Sequence, residues 1–213
     1  RAPQYYAPRF SDWNLSYDLT LSYKLAPDVL GYATYAKTFK SGGINLNGVP
    51  VDANNVPILA AGAIKPEKVD HVEIGLKSRF WDRRATLNLT GFWTEIRDYQ
   101  AQVNNSQLGL LRGYLANADK VRVRGIEADF SVQASDRFNA YASGAYTDHE
   151  YVKFVDAPCR PELSGGSSGT SVSPPGTAGG NSPGNCDISG QWLPGISTWA
   201  ASWGAEANLP AHV

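Results

Sequence analysis

The stretch "KPEKVDHVEIGLKSRFWDRRATLNLTGFWTEIRDYQAQV", residues 65–103, reads as two antiparallel strands joined by a tight turn. From Val69 the residues alternate, with Val72, Ile74, Leu76 and Phe80 to one side and His71, Glu73, Lys77 and Arg79 to the other. A β-strand sends successive side chains to opposite faces, so this pattern makes one apolar and one polar face. Trp81-Asp82-Arg83-Arg84 forms the polar turn, after which Leu87, Leu89, Gly91 and Trp93 alternate with Asn88, Thr90 and Thr94.

Working outward, the cleanest alternation lies near the start. Trp13, Leu15, Tyr17, Leu19, Leu21 and Tyr23 share one face, against Asn14, Ser16, Asp18, Thr20, Ser22 and Lys24. Aromatics occupy both ends of the apolar set and leucines predominate between. That distribution fits a membrane strand whose six lipid-facing residues span the hydrocarbon between two aromatic girdles. A strand of a soluble or surface-attached β-sandwich binding carbohydrate or protein also alternates, but nothing in a sandwich sorts aromatics to strand ends.

Val29 to Phe39 is the next strand, with aromatics on both parities, so its lipid face is ambiguous. Further strands are expected at Tyr114–Val132, Phe138 to about Tyr151, and Ser197–Leu209, where Trp199, Ala201, Trp203, Ala205 and Ala207 alternate with small or polar residues. Short turns follow Lys24, Phe80 and Val132. Longer loops follow Phe39, Val103 and Tyr151, giving loops at about 41–65, 104–112 and 152–195. Strict alternation of short and long connections is the layout of an outer-membrane barrel, short turns in the periplasm and long loops outside. The expected fold is therefore all-β, a transmembrane antiparallel up-and-down barrel. About seven strands are present, whereas a closed bacterial barrel needs an even number of at least about eight. This is part of a wall.

Composition agrees. Eleven Tyr, seven Phe and six Trp are a heavy aromatic load, and no run approaches the roughly eighteen apolar residues of a membrane helix. A formal net charge of −1, with Lys and Arg scattered among Asp and Glu, gives no basic field for nucleic acid. His71, His149 and His212 are far apart and none sits in a nucleophile motif, so no catalytic residue, metal site or cofactor is assigned; a Ser-His lipase is the weak alternative. Cys159 and Cys186 lie in one Gly/Ser/Pro-rich segment without metal-ligand spacing, which suggests a disulfide closing the long loop, the alternative being two free thiols.

The 65–103 stretch also resembles the barrel segment of TonB-dependent outer-membrane receptors, with its Pro-Glu pair, Glu-x-Gly-x-Lys on the down strand, short turn and aromatic-bearing up strand. Two more segments match in order, "YATYAKTFKSGGIN" at 32–45 and "YLANADKVRVRGIEADFSV" at 114–132. The resemblance implies that residues 1–213 belong to a wall of about twenty-two strands, with the N-terminal plug missing. It implies a bacterial outer-membrane location and active uptake of a scarce solute, most simply a ferric siderophore, driven by the TonB energy-transducing complex through the plug. Cobalamin, oligosaccharides and aromatic compounds stay open. Glu73, Lys77, Asn88, Glu127 and Asp129 would face the lumen, meeting water or the plug. Val121 and Val123 fall on the polar parity and Arg122 and Arg124 on the apolar one; family strands rise above the lipid, so this is expected there instead of a face-switching bulge at Gly125. The two arginines are the candidates for attracting an anionic ligand.

Overall fold

The computed structural model describes residues 7, 9–45, 49, 59–105, 112–155, 157–158 and 185–209. The strands are β1 (Tyr17–Ala26), β2 (Val29–Lys40), β3 (Gly43–Ile44), β4 (Ala63–Ile64), β5 (Glu67–Phe80), β6 (Ala85–Asn105), β7 (Arg112–Ser135), β8 (Phe138–Lys153), β9 (Ala157–Pro158), β10 (Asn185–Cys186) and β11 (Trp199–Ala207). Seven form one sheet in the order β1-β2-β5-β6-β7-β8-β11, and every neighbouring pair is antiparallel. The remaining four make two two-residue ladders, β3 with β4 and β9 with β10. Among the described residues no second large sheet faces the first, so the sandwich arrangement is not formed.

The register sorts side chains as the alternation requires. One row of partners runs Leu21, Ala33, Ile74, Gly91, Ile126, Tyr146 and Trp199 across all seven strands. It settles β2: Gly31, Ala33 and Tyr35 share the apolar face, and Tyr32 lies on the polar one. The apolar face is uncovered, with Leu21 74%, Ile74 62% and Trp203 83% exposed. A contiguous apolar surface of this kind demands a nonpolar solvent or a partner. Trp13 and Leu15 are also exposed but precede the paired part of β1.

Aromatics gather at both ends of that face. Towards the loop end Tyr17 meets Tyr35 at 6.0 Å between ring centroids and Tyr146 meets Trp199 at 4.6 Å; towards the short turns Phe80 meets Phe130 at 6.4 Å. Along the register, the upper aromatics step down from the Leu19–Tyr35–Val72–Trp93 row to the row of Tyr146 and Trp199. A level girdle crossed by tilted strands produces this drift.

On the polar face three rings cover glycines of the next strand: Tyr32 over Gly75, Phe92 over Gly125 and Tyr141 over Gly204. A Cβ at Gly75 would stand 2.3 Å from the Tyr32 ring, and one at Gly204 would stand 2.5 Å from Tyr141. The missing side chain lets the ring lie flat on the strand, which recovers packing that glycine alone lacks.

The short-turn end is stitched sideways. Trp81, Asp82 and Arg83 all adopt left-handed backbone, with φ of 56°, 52° and 64°. The Arg84 N–H donates to the Trp81 carbonyl at 2.9 Å. Arg83 Nε donates to Asp28 in the neighbouring turn at 2.9 Å, and Arg84 lies 3.9 Å from Asp136 in the next.

Candidate functional site

The polar face carries a connected network. The Tyr32 hydroxyl donates to Glu73 Oε1 at 2.6 Å and lies 3.2 Å from the Thr90 hydroxyl. His71 places Nδ1 2.8 Å from the Thr94 hydroxyl and Nε2 3.6 Å from Glu73, while the Lys77 ammonium sits 5.4 Å from the Tyr32 ring centre. A further row joins Lys77, Asn88, Asp129, Ser143 and Ser202, and Glu127 pairs with Thr90. The five residues expected on a common face, Glu73, Lys77, Asn88, Glu127 and Asp129, therefore share it. Small neighbours such as Ser143, Ala145, Ala200 and Ser202 leave Glu127 and Asp129 in an open recess.

At the loop end, amides fix the roots of the connections. Asn45 mimics a strand, its Nδ2 donating to the Leu115 carbonyl and its Oδ1 accepting from the Leu115 N–H, both at 2.9 Å. Asn117 Oδ1 accepts from the Lys65 N–H at 2.9 Å, while its Nδ2 donates to the carbonyls of Lys65 and Asp98. Gln100 Nε2 donates to the carbonyls of Ser41 and Lys65, and the buried Glu67 accepts from the Gln100 N–H at 2.7 Å. Residues 41–45 and 62–67 are thus clamped to β6 and β7. The expected loop at about 41–65 holds the β3–β4 pair and a 3-10 turn at Leu59–Gly62, short elements whose pairing lies across the loop and not in a local repeat.

An apolar cluster lies beside this clamp: Ala101, Ala118, Val121, Tyr151, Phe154 and Leu193. Ile96 and Tyr99 both pack against it, as do Ala118 and Val121, although a strictly alternating strand would send residues three apart to opposite faces. Asp98 between the first pair has φ of 54°, and the β7–β8 register shifts between Lys120 and Val121. β7 keeps its alternation from Val121 through Gly125, so no bulge there switches the faces; a separate switch lies here, between Ala118 and Val121. The segment before β11 folds onto the cluster. Its Gly190 N–H donates to the Tyr151 carbonyl at 2.6 Å, the Tyr151 N–H donates to the Gln191 carbonyl at 2.9 Å, and the Leu193 N–H donates to His149 Nδ1 at 3.1 Å. At the start of that segment, bonds from the Ser189 hydroxyl and N–H hold the Asp187 carboxyl below its ordinary range.

Arg122 and Arg124 are on the other face. Both guanidinium carbons stand 5.1 Å from the Trp93 ring centre, and both are ion-paired, Arg122 with Glu150 and Arg124 with Asp148 at 2.7 Å. Nearby on that face Asp70 meets Arg97 at 2.5 Å, and Lys120 meets Glu95 at 2.7 Å. Tyr32, Asn45, Trp93, Gln100 and Asn117 were not among the residues singled out from sequence, since their roles depend on cross-strand partners; alternation alone marked only the sidedness of Trp93. His212 and Cys159 lie outside the described residues, as does the side chain of Cys186. No group of three or more His, Cys, Asp or Glu suited to a metal occurs among the described residues.

A sequence profile for the TonB dependent receptor-like, beta-barrel family matches residues 2–209. The chain belongs to this family. It is similar to the probable TonB-dependent receptor BfrD of Bordetella pertussis, 29% identical over 154 residues, covering 72% of this chain and 19% of that protein. It is also similar to the probable TonB-dependent siderophore receptor PiuA of Acinetobacter baumannii, 27% identical over 156 residues, covering 71% of this chain and 19% of that protein. Among solved structures, the ferric yersiniabactin uptake receptor FyuA of Yersinia pestis shares the fold at TM-score 0.58 and 18% identity, over 91% of this chain and 23% of that one. The PiuA structure does so at TM-score 0.56 and 20% identity, over 89% and 23%. The chain thus spans about a fifth of the length of the curated relatives it matches. Receptors of this family are outer-membrane β-barrels and not enzymes, so the seven-stranded sheet is part of an outer-membrane wall.

Proposed function

We propose that this wall belongs to a receptor that takes up a ferric siderophore across the outer membrane in a TonB-dependent step. The observation that carries the reading is the two-sided sheet, with an uncovered apolar face banded by aromatics and a hydrogen-bonded polar face. On this reading Trp13, Leu15, Tyr17, Leu19, Leu21 and Tyr23 face lipid, and Glu73, Lys77, Asn88, Glu127 and Asp129 face the wet interior or a plug. The connections at about 41–65, 104–112 and 152–195 lie outside the cell and capture the solute. The siderophore class is supported by the name of the PiuA relative, and the TonB complex is the partner that family membership supplies. Arg122 and Arg124 point away from the solute's path, so ligand attraction is not assigned to them.

The test is uptake of radioiron by cells that make the full-length receptor as their sole outer-membrane route for iron chelates, against a panel of hydroxamate and catecholate ferric complexes. TonB-dependent accumulation of one complex supports the proposal. Absence of accumulation of every iron complex, with uptake of cobalamin or an oligosaccharide instead, would replace the solute while leaving the transporter reading in place.

A further inference from the structure

Just beyond the upper aromatics, the face that carries Leu19, Ile74 and Trp93 changes from apolar to charged. By register it presents Lys37, Lys68, Arg97, Lys120, Arg122 and Arg124, six cations, against the four carboxylates of Asp70, Glu95, Asp148 and Glu150, while Lys153, the partner of Lys120, is neutralised by Asp119 at 3.1 Å. The belt begins without a gap: Arg124 is the cross-strand partner of Trp93, and Tyr35 on the aromatic row donates its hydroxyl to Asp70 at 2.8 Å. Ten ionisable groups cannot lie in hydrocarbon, and their contact with a ring row at the lipid boundary places them at the depth of the headgroups.

The carboxylates occupy only part of each guanidinium. Arg124 gives Nε to Asp148 and Arg122 gives Nη2 to Glu150, and no other hydrogen bond to either side chain occurs among the described residues. The two side chains are 42% and 23% exposed and are held against Trp93, so planar donor groups are fixed in orientation with unused Nη N–H groups; Arg122 Nε is unpaired but buried and is not among the donors a headgroup could reach. Exposed ion pairs of this kind do little for a fold, whereas a fixed guanidinium fork matches a phosphate. The belt keeps an excess of two positive charges.

We propose that this belt is a docking surface for the phosphate-bearing headgroups of the outer-leaflet lipid, with Arg122 and Arg124 on Trp93 as its centre. The inference rests on the reading that the apolar face lies in lipid.

The test uses the full-length receptor in neutral detergent, titrated with dihexanoyl phosphatidic acid and, separately, with dihexanoyl phosphatidylcholine, followed by tryptophan emission. Phosphatidic acid is expected to bind in preference, and the Arg122→Gln/Arg124→Gln variant to lose about fivefold in affinity per charge removed. Equal binding of the two lipids, or an unchanged double variant, would overturn the proposal. So would competition by inorganic phosphate as effective as that by phosphatidic acid, which would make this a free-anion site. If the double variant fails to assemble, Arg97→Gln/Lys120→Gln is titrated in the same way with the same expectation. A fluorophore on Val72→Cys, quenched by phosphatidylcholine brominated in its acyl chains, separates the two levels. Quenching without phosphate preference refutes the belt alone, and no quenching refutes the lipid face together with it.

Discussion

His149 Nδ1 accepts a hydrogen bond from the Leu193 N–H at 3.1 Å, and the imidazole is only 3% exposed. A strand residue thereby holds the backbone of the segment that leads into β11. Replacing it with His149→Phe keeps the volume but leaves a buried N–H unpaired, a loss of about 1–3 kcal/mol. Amide hydrogen exchange at Leu193 is expected to accelerate, with Gly190 following, while β5 and β6 stay protected. Unchanged exchange at Leu193 would show that the segment is held without the histidine, by the Gly190 bond and by the Ile188 N–H, which donates to the Phe154 carbonyl at 3.0 Å.

The ring-on-glycine pairs predict a contrast between two glycines of adjacent strands. A methyl at Gly75 would meet the Tyr32 ring at 2.3 Å, whereas one at Gly91 finds nothing nearer than 3.8 Å. Gly75→Ala is therefore expected to destabilise the barrel by about 1–3 kcal/mol through overpacking, and Gly91→Ala to be close to neutral. Denaturant midpoints of the refolded full-length receptor check this. Equal midpoints would mean that the Tyr32 ring moves aside freely.

Leu19 and Thr20 are sequence neighbours on opposite faces of β1, Leu19 70% exposed on the apolar side and Thr20 2.9 Å from the Thr34 hydroxyl on the polar side. Leu19→Arg, on the row of the upper aromatics, is expected to destabilise by less than the roughly 2–4 kcal/mol of a mid-bilayer site and to reduce outer-membrane assembly. Thr20→Arg should assemble nearly normally. Equal assembly of the two variants, measured by heat-modifiable gel mobility, would contradict the assignment of faces.

Pro158 pairs with Asn185 and Ala157 with Cys186 in the β9–β10 ladder, which brings the chain on either side of the long connection together. We expect Cys159 and Cys186 to form a disulfide, worth roughly 3–4 kcal/mol in the chain-entropy picture. The intact mass after alkylation without reductant should not change. A gain of two alkyl groups would identify free thiols.

The wall was legible in the sequence because its signal has a period of two and recurs along every main strand; the β5–β6 hairpin, the apolar set from Tyr17 to Tyr23 and the alternation of short and long connections all follow from it. What stayed hidden depends on partners distant in sequence. Both parities of β2 carry aromatics, and only its register with β1 and β5 puts Tyr35 on one face and Tyr32 on the other. Val121 and Val123 broke the apolar pattern of β7 with no switch at all, since the register is continuous through Gly125 and both pack on the inner cluster; the switch beyond them, at the left-handed Asp98 and the shift after Lys120, left no mark in the sequence. Arg122 and Arg124 looked like free charge, because their partners Glu150 and Asp148 sit a hairpin away. The amide clamp had no signature at all, since a single Asn or Gln has no period.

That clamp has an evolutionary corollary. Asn45, Gln100 and Asn117 hold the chain on both sides of the first long connection to fixed points of β6 and β7. The two roots of this connection are therefore held by side chains that lie outside the stretch between them. Such a joint behaves as a socket: its grip is set by three amides of the wall-side chain, so substitutions within the connection leave the anchoring bonds themselves unaltered.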